Sequence, residues 1–236
     1  MKIIKLISFS LLLSCSMNAQ IEVNTSDITN FWTAFDSVQT TPDTAKQEAF
    51  IQKLYLDKAS FGLQYAIDFT EKKASDWVEY IDNNRGKLQR IRPYTLFILT
   101  QKPVLDKKIA YFKELYPSFK KGNIYFIIGT GIFGGRVSEG QVIIGAEVEA
   151  NEKPDWPIGI VLHEFVHTQQ TPPKRLALLG NTIMEGMADF IAEVVNQQDL
   201  AVTYPDRHTA FGNKNEKVVW AAFKKYMGSS KDFQFS

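Results

Sequence analysis

The residues best suited to chemistry lie in the segment His163-Glu164-x-x-His167, an H-E-x-x-H motif. On an α-helix, residues four positions apart project from the same face, so both imidazoles can be directed at one metal ion. Glu164 lies about 100° round the helix from His163, which is the position of a general base for metal-activated water. The motif predicts a zinc site with Glu164 as the catalytic base.

The surroundings of the motif favour a buried helix. Glu164 is the only acidic or basic residue besides the histidines between Ile158 and Gln170. The two histidines therefore lack ion-pair partners nearby in the chain, and zinc requires neutral imidazoles of this kind. The alternative is a pair of core histidines satisfied by hydrogen bonds, with Glu164 facing solvent.

A catalytic zinc site needs a third protein ligand and an open position. Glu185 follows His167 by 18 residues, near the start of a second apolar helical run. Asp189, one turn further on, can accept a hydrogen bond from the outer ring nitrogen of a ligand histidine. Glu185 has a second interpretation as part of a capping box that begins at Thr182.

Two further side chains are candidates for a supporting role. His208 could replace Glu185 as the third ligand, or donate a hydrogen bond to the transition state, and Tyr204 is a comparable donor. The simpler interpretation makes both of them loop residues beside Pro205.

The composition excludes several other classes of protein. The chain has 27 basic and 26 acidic residues, and this balance leaves no electrostatic footprint for nucleic acid. Its hydrophobic fraction of 44% excludes a disordered chain. The single cysteine, Cys15, excludes a disulfide scaffold and an iron–sulfur site.

The N-terminus predicts export. Lys2 and Lys5 precede an apolar run at 7–13, and a plausible cleavage site follows at 18–20. The run is too short to span a membrane, which takes about 20 residues. We expect a signal peptide over 1–19 and a periplasmic or secreted protein. The alternatives are a lipoprotein attached to the membrane through Cys15, and a buried N-terminal helix.

The rest of the chain, 20–236, predicts a single domain of the α+β class. Residues 26–119 have helical periodicity, and the aromatic residues Phe61, Tyr65 and Phe69 recur at a spacing typical of a core-facing stripe. Short β-branched runs at 124–128 and 141–145 predict strands. Helical periodicity returns after Pro157, and a last helix is expected at about 215–226. The predicted fold is mostly helical, with a small sheet followed by a zinc-binding helix pair.

A glycine-rich loop follows the first predicted strand. Residues 129–134 match G-x-G-x-x-G, the fingerprint of dinucleotide sites. That fingerprint requires a following helix, whereas these glycines lead into another strand. We interpret the segment as a hairpin loop. Three acidic residues follow, and we expect Glu147, Glu149 and Glu152 to form a solvated strand end and turn.

The two helical motifs together resemble a known group of enzymes. H-E-x-x-H followed by Glu-x-x-x-Asp on the next helix is similar to the gluzincin zinc metallopeptidases of the thermolysin-like branch. The local form Glu-Gly-x-Ala-Asp, with a helical N-terminal half, resembles a family of predicted bacterial zinc-dependent proteases. The resemblance covers about 141–195.

This resemblance implies roles for individual residues. It implies zinc ligands at His163, His167 and Glu185, with Glu164 as the base and Asp189 as the partner of His163. It also implies that the strand at 141–146 binds extended substrate as an added edge. We therefore expect a zinc-dependent peptidase acting on a peptide or protein outside the cytoplasm. One alternative is an envelope component that binds zinc without turnover, and another is a helical binding module with no metal.

Overall fold

The structure is a computed structural model that describes residues 21–132, 134–153, 155–171, 178–203 and 208–228. The predicted signal peptide, Cys15 and Tyr204 lie outside these residues.

The predicted α+β, mostly helical architecture is confirmed, with a small sheet among the helices. The helices are α1 (Ser26–Val38), α2 (Thr44–Leu54), α3 (Phe61–Thr70), α4 (Ala74–Phe97), α5 (Lys102–Leu115), α6 (Ala146–Glu149), α7 (Trp156–Gln169), α8 (Leu178–Asn196), α9 (Leu200–Thr203) and α10 (His208–Tyr226). The strands are β1 (Val23–Asn24), β2 (Ile124–Ile127), β3 (Gly135–Ser138) and β4 (Gln141–Gly145).

Local sequence signals account for where several helices begin. The Asp43 side chain accepts a hydrogen bond from the Lys46 amide at the start of α2. Ser60 does the same for two amides at the start of α3. Such caps satisfy backbone donors that have no partner within the helix. Pro103 lies in the first turn of α5, where its missing amide proton costs no helical hydrogen bond.

The sheet has the strand order β1-β2-β4-β3, with β3 as the antiparallel edge strand. β4 is therefore an interior strand, paired on both sides, and the expectation that it is an open edge for substrate is wrong. The glycine-rich loop joins β2 to β3, which are not neighbours, so it crosses over β4 and is not the hairpin we expected. The hairpin turn is instead at Glu139 and Gly140, between β3 and β4, and both residues have positive φ.

The helices fix the end of β2 through two side chains. The Tyr55 hydroxyl donates to the Ile128 carbonyl at 2.6 Å, and the Ile128 amide donates back to the Tyr55 oxygen at 3.1 Å. The indole of Trp77 donates to the same carbonyl at 3.2 Å. Both side chains are fully or almost fully buried. These bonds hold in place the point from which the glycine-rich loop starts.

The aromatic stripe of α3 is only partly buried. Phe61 is 39% exposed and Phe69 is 49% exposed, so the expectation of a core-facing stripe is wrong for these two residues, whereas Tyr65 is partly buried and packs against the core. Phe61 lies against Tyr125 on the sheet surface, and the Arg136 guanidinium lies 4.1 Å from the centre of the Phe69 ring. α3 instead faces the core with small and aliphatic residues, because it packs closely on β2.

The C-terminal third contains the helix pair that the sequence predicts. α7 is apolar around most of its surface and packs between the sheet and α8. The predicted last helix at 215–226 is part of the longer α10, which has a kink at Asn215. Large apolar side chains of α10, including Phe211 and Val218, are exposed. Among the described residues, no helix is both long and apolar enough to cross a membrane.

Substitutions at two helical glycines test this packing, because we expect them to change the stability of the protein in opposite directions. A Cβ on Gly62 would overlap the Tyr125 side chain, whereas a Cβ on Gly86 of α4 would meet nothing closer than the tip of Arg90, at 3.9 Å. We expect Gly62→Ala to destabilise the protein by about 1–3 kcal/mol through overpacking. Gly86→Ala should stabilise it by about 0.5–1 kcal/mol, because alanine favours the helix. Urea unfolding of both variants measures the difference, and effects of equal sign would contradict this packing.

Candidate metal centre

The first two candidate ligands lie side by side on α7. The imidazoles of His163 and His167 are separated by 4.8 Å between ring centres, and their Nε2 atoms are 3.2 Å apart. Their side chains are mostly buried, with 17% and 15% exposed. This is the arrangement that the four-residue spacing predicts, because one turn of the helix places both rings on the same face.

α8 brings the third candidate ligand to the same point. Glu185 Oε2 lies 3.3 Å from His163 Nε2 and 3.3 Å from His167 Nε2. Glu185 is in the interior of α8, and the Thr182 hydroxyl donates to the Leu178 carbonyl within that helix. The capping-box interpretation of Glu185 is therefore wrong, since Thr182 does not precede the helix.

The spacing of these three atoms fits a tetrahedral metal ion. A zinc ion about 2.0–2.1 Å from each ligand keeps tetrahedral ligand atoms about 3.3–3.4 Å apart, and the observed separations are 3.2, 3.3 and 3.3 Å. Among the described residues, this is the only group of three or more His, Cys, Asp or Glu side chains close enough together to hold a metal ion. The donor set of two imidazoles and one carboxylate is also one that zinc accepts in catalytic sites.

The outer ring nitrogens have acceptors that fix the tautomers. His163 Nδ1 lies 2.7 Å from Asp189 Oδ1, which is where the sequence predicts a carboxylate partner. His167 Nδ1 lies 2.7 Å from Gln170 Oε1, and the Gln170 amide nitrogen donates to the Met184 carbonyl of α8. With a proton on Nδ1, each neutral ring would present its Nε2 lone pair to a metal ion held between the two rings and Glu185.

Gln170 is a site residue that the sequence analysis missed. It follows His167 by three residues at the end of α7 and links His167 to α8. A signal was present, because residues three apart share a helix face. Nothing in the sequence shows that its second hydrogen bond reaches across to α8.

The charges of the site shift the pKa values of its members. Burial lowers the pKa of His163, but hydrogen bonds to Asp189 and Glu185 and the charge of Glu164 outweigh this and raise the pKa to about 10. Hydrogen bonds from the two histidines hold the pKa of Glu185 far below its usual range. Without a metal ion, the cluster therefore stabilises a proton among its nitrogens and a negative charge on Glu185.

The candidate base, Glu164, lies between α7 and the edge strand. It is 8% exposed, and burial raises the pKa of its carboxyl group, although the neighbouring histidines oppose this. Its carboxylate lies where a side chain on Gly135 of β3 would be. The candidate base is thus beside the candidate ligands and also against the strand that forms the edge of the sheet.

The glycine-rich loop holds one of the chain's own carboxylates. Glu147 is 1% exposed, and its Oε1 accepts a hydrogen bond from the Gly131 amide at 3.0 Å. A Cβ on Gly129 would lie 2.9 Å from the same oxygen. Burial raises the pKa of Glu147 above its usual value. In this structure, an internal glutamate faces the glycines that the fingerprint would use for a pyrophosphate.

The acidic segment after β4 is mostly buried, contrary to expectation. Glu147 and Glu149 have exposures of 1% and 5%, whereas Glu152 is exposed as expected. The expectation of a solvated turn is wrong for the first two because glycines of the preceding loop make room for their carboxylates. The Glu149 carboxylate lies where a side chain on Gly134 would be.

The remaining sequence candidates are not brought to the cluster by any described contact. Tyr204 lies outside the described residues. His208 is the first residue of α10, and its side chain is not among those described. Both remain predictions as donors to the transition state.

Comparison of the chain with models of protein families, with curated proteins and with solved structures finds no match in any of the three. The resemblance to gluzincins therefore stays a prediction from the two helical motifs. The distances between the side chains of the site are a separate observation, which does not depend on that resemblance.

The raised pKa of His163 predicts that metal binding releases protons. At about pH 7.5, a histidine with a pKa of about 10 is protonated in the metal-free protein. Because zinc binds neutral imidazole, we expect release of about one proton or more per ion, declining as the pH rises through 10. Zinc titration calorimetry in buffers of different ionisation enthalpy measures this number. Heats that do not depend on the buffer would contradict the assigned protonation.

Proposed function

We propose that this protein is a zinc-dependent peptidase that hydrolyses peptide bonds. The observation that carries the proposal is the triangle formed by His163 Nε2, His167 Nε2 and Glu185 Oε2, with sides of 3.2–3.3 Å. Glu164 lies beside this triangle on the same helix. The resemblance to gluzincins, which rests on the same residues, supports the same function.

Different residues of the chain would bind the zinc ion and transfer the proton. His163, His167 and Glu185 would hold the ion, with Asp189 and Gln170 orienting the two rings. A zinc ion held there would lower the pKa of a water molecule and polarise the scissile carbonyl group. Glu164 accepts a proton as water attacks that carbonyl and then donates it to the leaving amine nitrogen.

The openness of the cluster favours a catalytic over a purely structural role. Structural zinc sites are closed by four protein ligands, whereas catalytic sites keep one position open. The described residues supply three candidate ligands. The Glu185 side chain is 55% exposed and that of Asp189 is 44% exposed, so the cluster reaches the surface from the α8 side. A substrate can approach from there.

The edge strand offers a way to bind extended substrate. Among the described residues, β3 pairs with β4 only, so its other edge is free to add a strand. An extended peptide can bind such an edge through backbone hydrogen bonds. We propose that β3 takes the role that the sequence analysis gave to β4. The first residue of β3, Gly135, lies against Glu164, and a peptide on this edge would therefore lie close to the base.

We keep export as part of the proposal. It rests on the signal-like segment at 1–19, whose structure is not described. Export would place the hydrolytic activity outside the cytoplasm, where the substrate is a peptide or protein of the envelope or the surroundings.

The proposal is tested with purified protein and a broad library of fluorogenic peptides. We expect hydrolysis that a chelator abolishes and that added zinc restores. Stoichiometric zinc binding without hydrolysis of any peptide would overturn the peptidase and leave the zinc-binding envelope component. Purified protein that binds no zinc would overturn both and leave the binding module.

Replacing the base separates turnover from metal binding. We expect Glu164→Gln to keep zinc, because this residue is not a candidate ligand, and to lose activity by about 10²–10⁴-fold, the usual contribution of a general base. Glu79→Gln on α4 is the matched control, since that glutamate is exposed and outside the cluster. Zinc content by elemental analysis and turnover by peptide hydrolysis give both readouts. Wild-type turnover in Glu164→Gln would exclude this mechanism.

A further inference from the structure

The edge strand begins with a glycine that is in contact with the proposed base. A Cβ built on Gly135 would lie 2.5 Å from the Glu164 carboxyl carbon and 2.7 Å from its Cγ. Real Cβ atoms are essentially never found within 3.0 Å of another atom of this kind. The position therefore accepts glycine alone unless one of the two partners moves.

The backbone of the strand is poorly able to move. Gly135 pairs with Ile144 of β4, and the Gly145 amide donates to the Gly134 carbonyl at 2.6 Å. β4 is held on its other side by β2, which the helices fix at Ile128. A side chain added at Gly135 would thus push against the glutamate and not against a free loop.

The helix that carries Glu164 is also fixed. Its neighbours Leu162 and Phe165 are fully buried in the core, and the Phe165 ring stacks on Phe119 at 5.3 Å between ring centres. The mobile element of the contact is therefore the Glu164 side chain, whose torsion angles alone can respond. The bare backbone of Gly135 and the surface of α7 together form a slot for this carboxylate.

We propose that Gly135 is a positioning residue for the base. Its lack of a side chain lets the Glu164 carboxylate lie directly beneath the edge strand, next to the backbone of any peptide that pairs with that strand. This inference rests on the proposed function, because only there does Glu164 act as a base. The inference implies that a single methyl group at position 135 displaces the Glu164 carboxylate and leaves the three candidate ligands in place.

Gly129, in the glycine-rich loop that leads to β3, provides a matched control. A Cβ there would meet only the tip of the Glu147 carboxylate, at 2.9 Å, and Glu147 is not a member of the metal cluster. Gly129→Ala therefore introduces the same methyl group against a buried glutamate without touching Glu164.

The contact itself is tested by a double-mutant cycle read by thermal unfolding. We expect Gly135→Ala to lower the melting temperature in the wild-type background and to lower it far less when Glu164 is already alanine. An equal loss in both backgrounds would overturn the contact. If Gly135→Ala alone does not fold, the double variant must recover folding, and failure to do so would equally overturn it.

The positioning role is tested by kinetics at full zinc occupancy. We expect Gly135→Ala to lower kcat by about 10–100-fold, the effect of a displacement near 1 Å, with an unchanged zinc content and a KM within about twofold of the wild type, since substrate binding is retained. Gly129→Ala should keep the wild-type kcat. If the wild-type protein is active and Gly135→Ala keeps the wild-type kcat, the positioning role is overturned, whereas the proposed function is not. Absence of hydrolysis by the wild-type protein would instead overturn the proposed function, while the stability cycle still decides whether the contact exists.

Discussion

The packing of α7 against α8 forces two imidazoles and a carboxylate to share one small volume. Three atoms with lone pairs or negative charge lie 3.2–3.3 Å apart, and two further carboxylates, Glu164 and Asp189, adjoin them. Partly buried charges of this density need compensation by a cation or by protons. The raised pKa of His163 is the response of the metal-free cluster to this requirement. A divalent ion would satisfy the same requirement, because the three candidate donor atoms are close enough together to bind it at once.

The rest of the fold keeps these parts in register. Tyr55 and Trp77 hold the end of β2, and β2 and β3 flank β4, so the edge strand is fixed relative to the sheet on which α7 packs. The glycines of the crossing loop allow internal carboxylates to lie where side chains would otherwise be. One buried glutamate thus comes to lie between the metal cluster and the strand edge. In the proposed function, this arrangement would connect metal binding, proton transfer and peptide binding through a single residue, Glu164.

Local patterns predicted which side chains meet at the site better than they predicted its surroundings. The spacing of His163 and His167 depends only on the geometry of α7, and that of Glu185 and Asp189 only on the geometry of α8, so both could be derived from the sequence. The identity of the edge strand could not, because strand order depends on pairing between distant segments. The burial of Glu147 was missed for a related reason, since it follows from glycines about sixteen residues earlier that fold back over it. Phe61 and Phe69 were misassigned because helical periodicity marks an apolar face without showing whether the core covers all of it.

X-ray absorption at the zinc K edge, on protein loaded with one equivalent of zinc, tests whether the three candidate donor atoms bind one ion. We expect a four-coordinate ion with about two imidazole nitrogens, one carboxylate oxygen and one water oxygen at about 2.0–2.2 Å, and a loss of imidazole scattering in His163→Ala and His167→Ala. Zinc surrounded by oxygen atoms alone, or a spectrum that neither substitution changes, would contradict it.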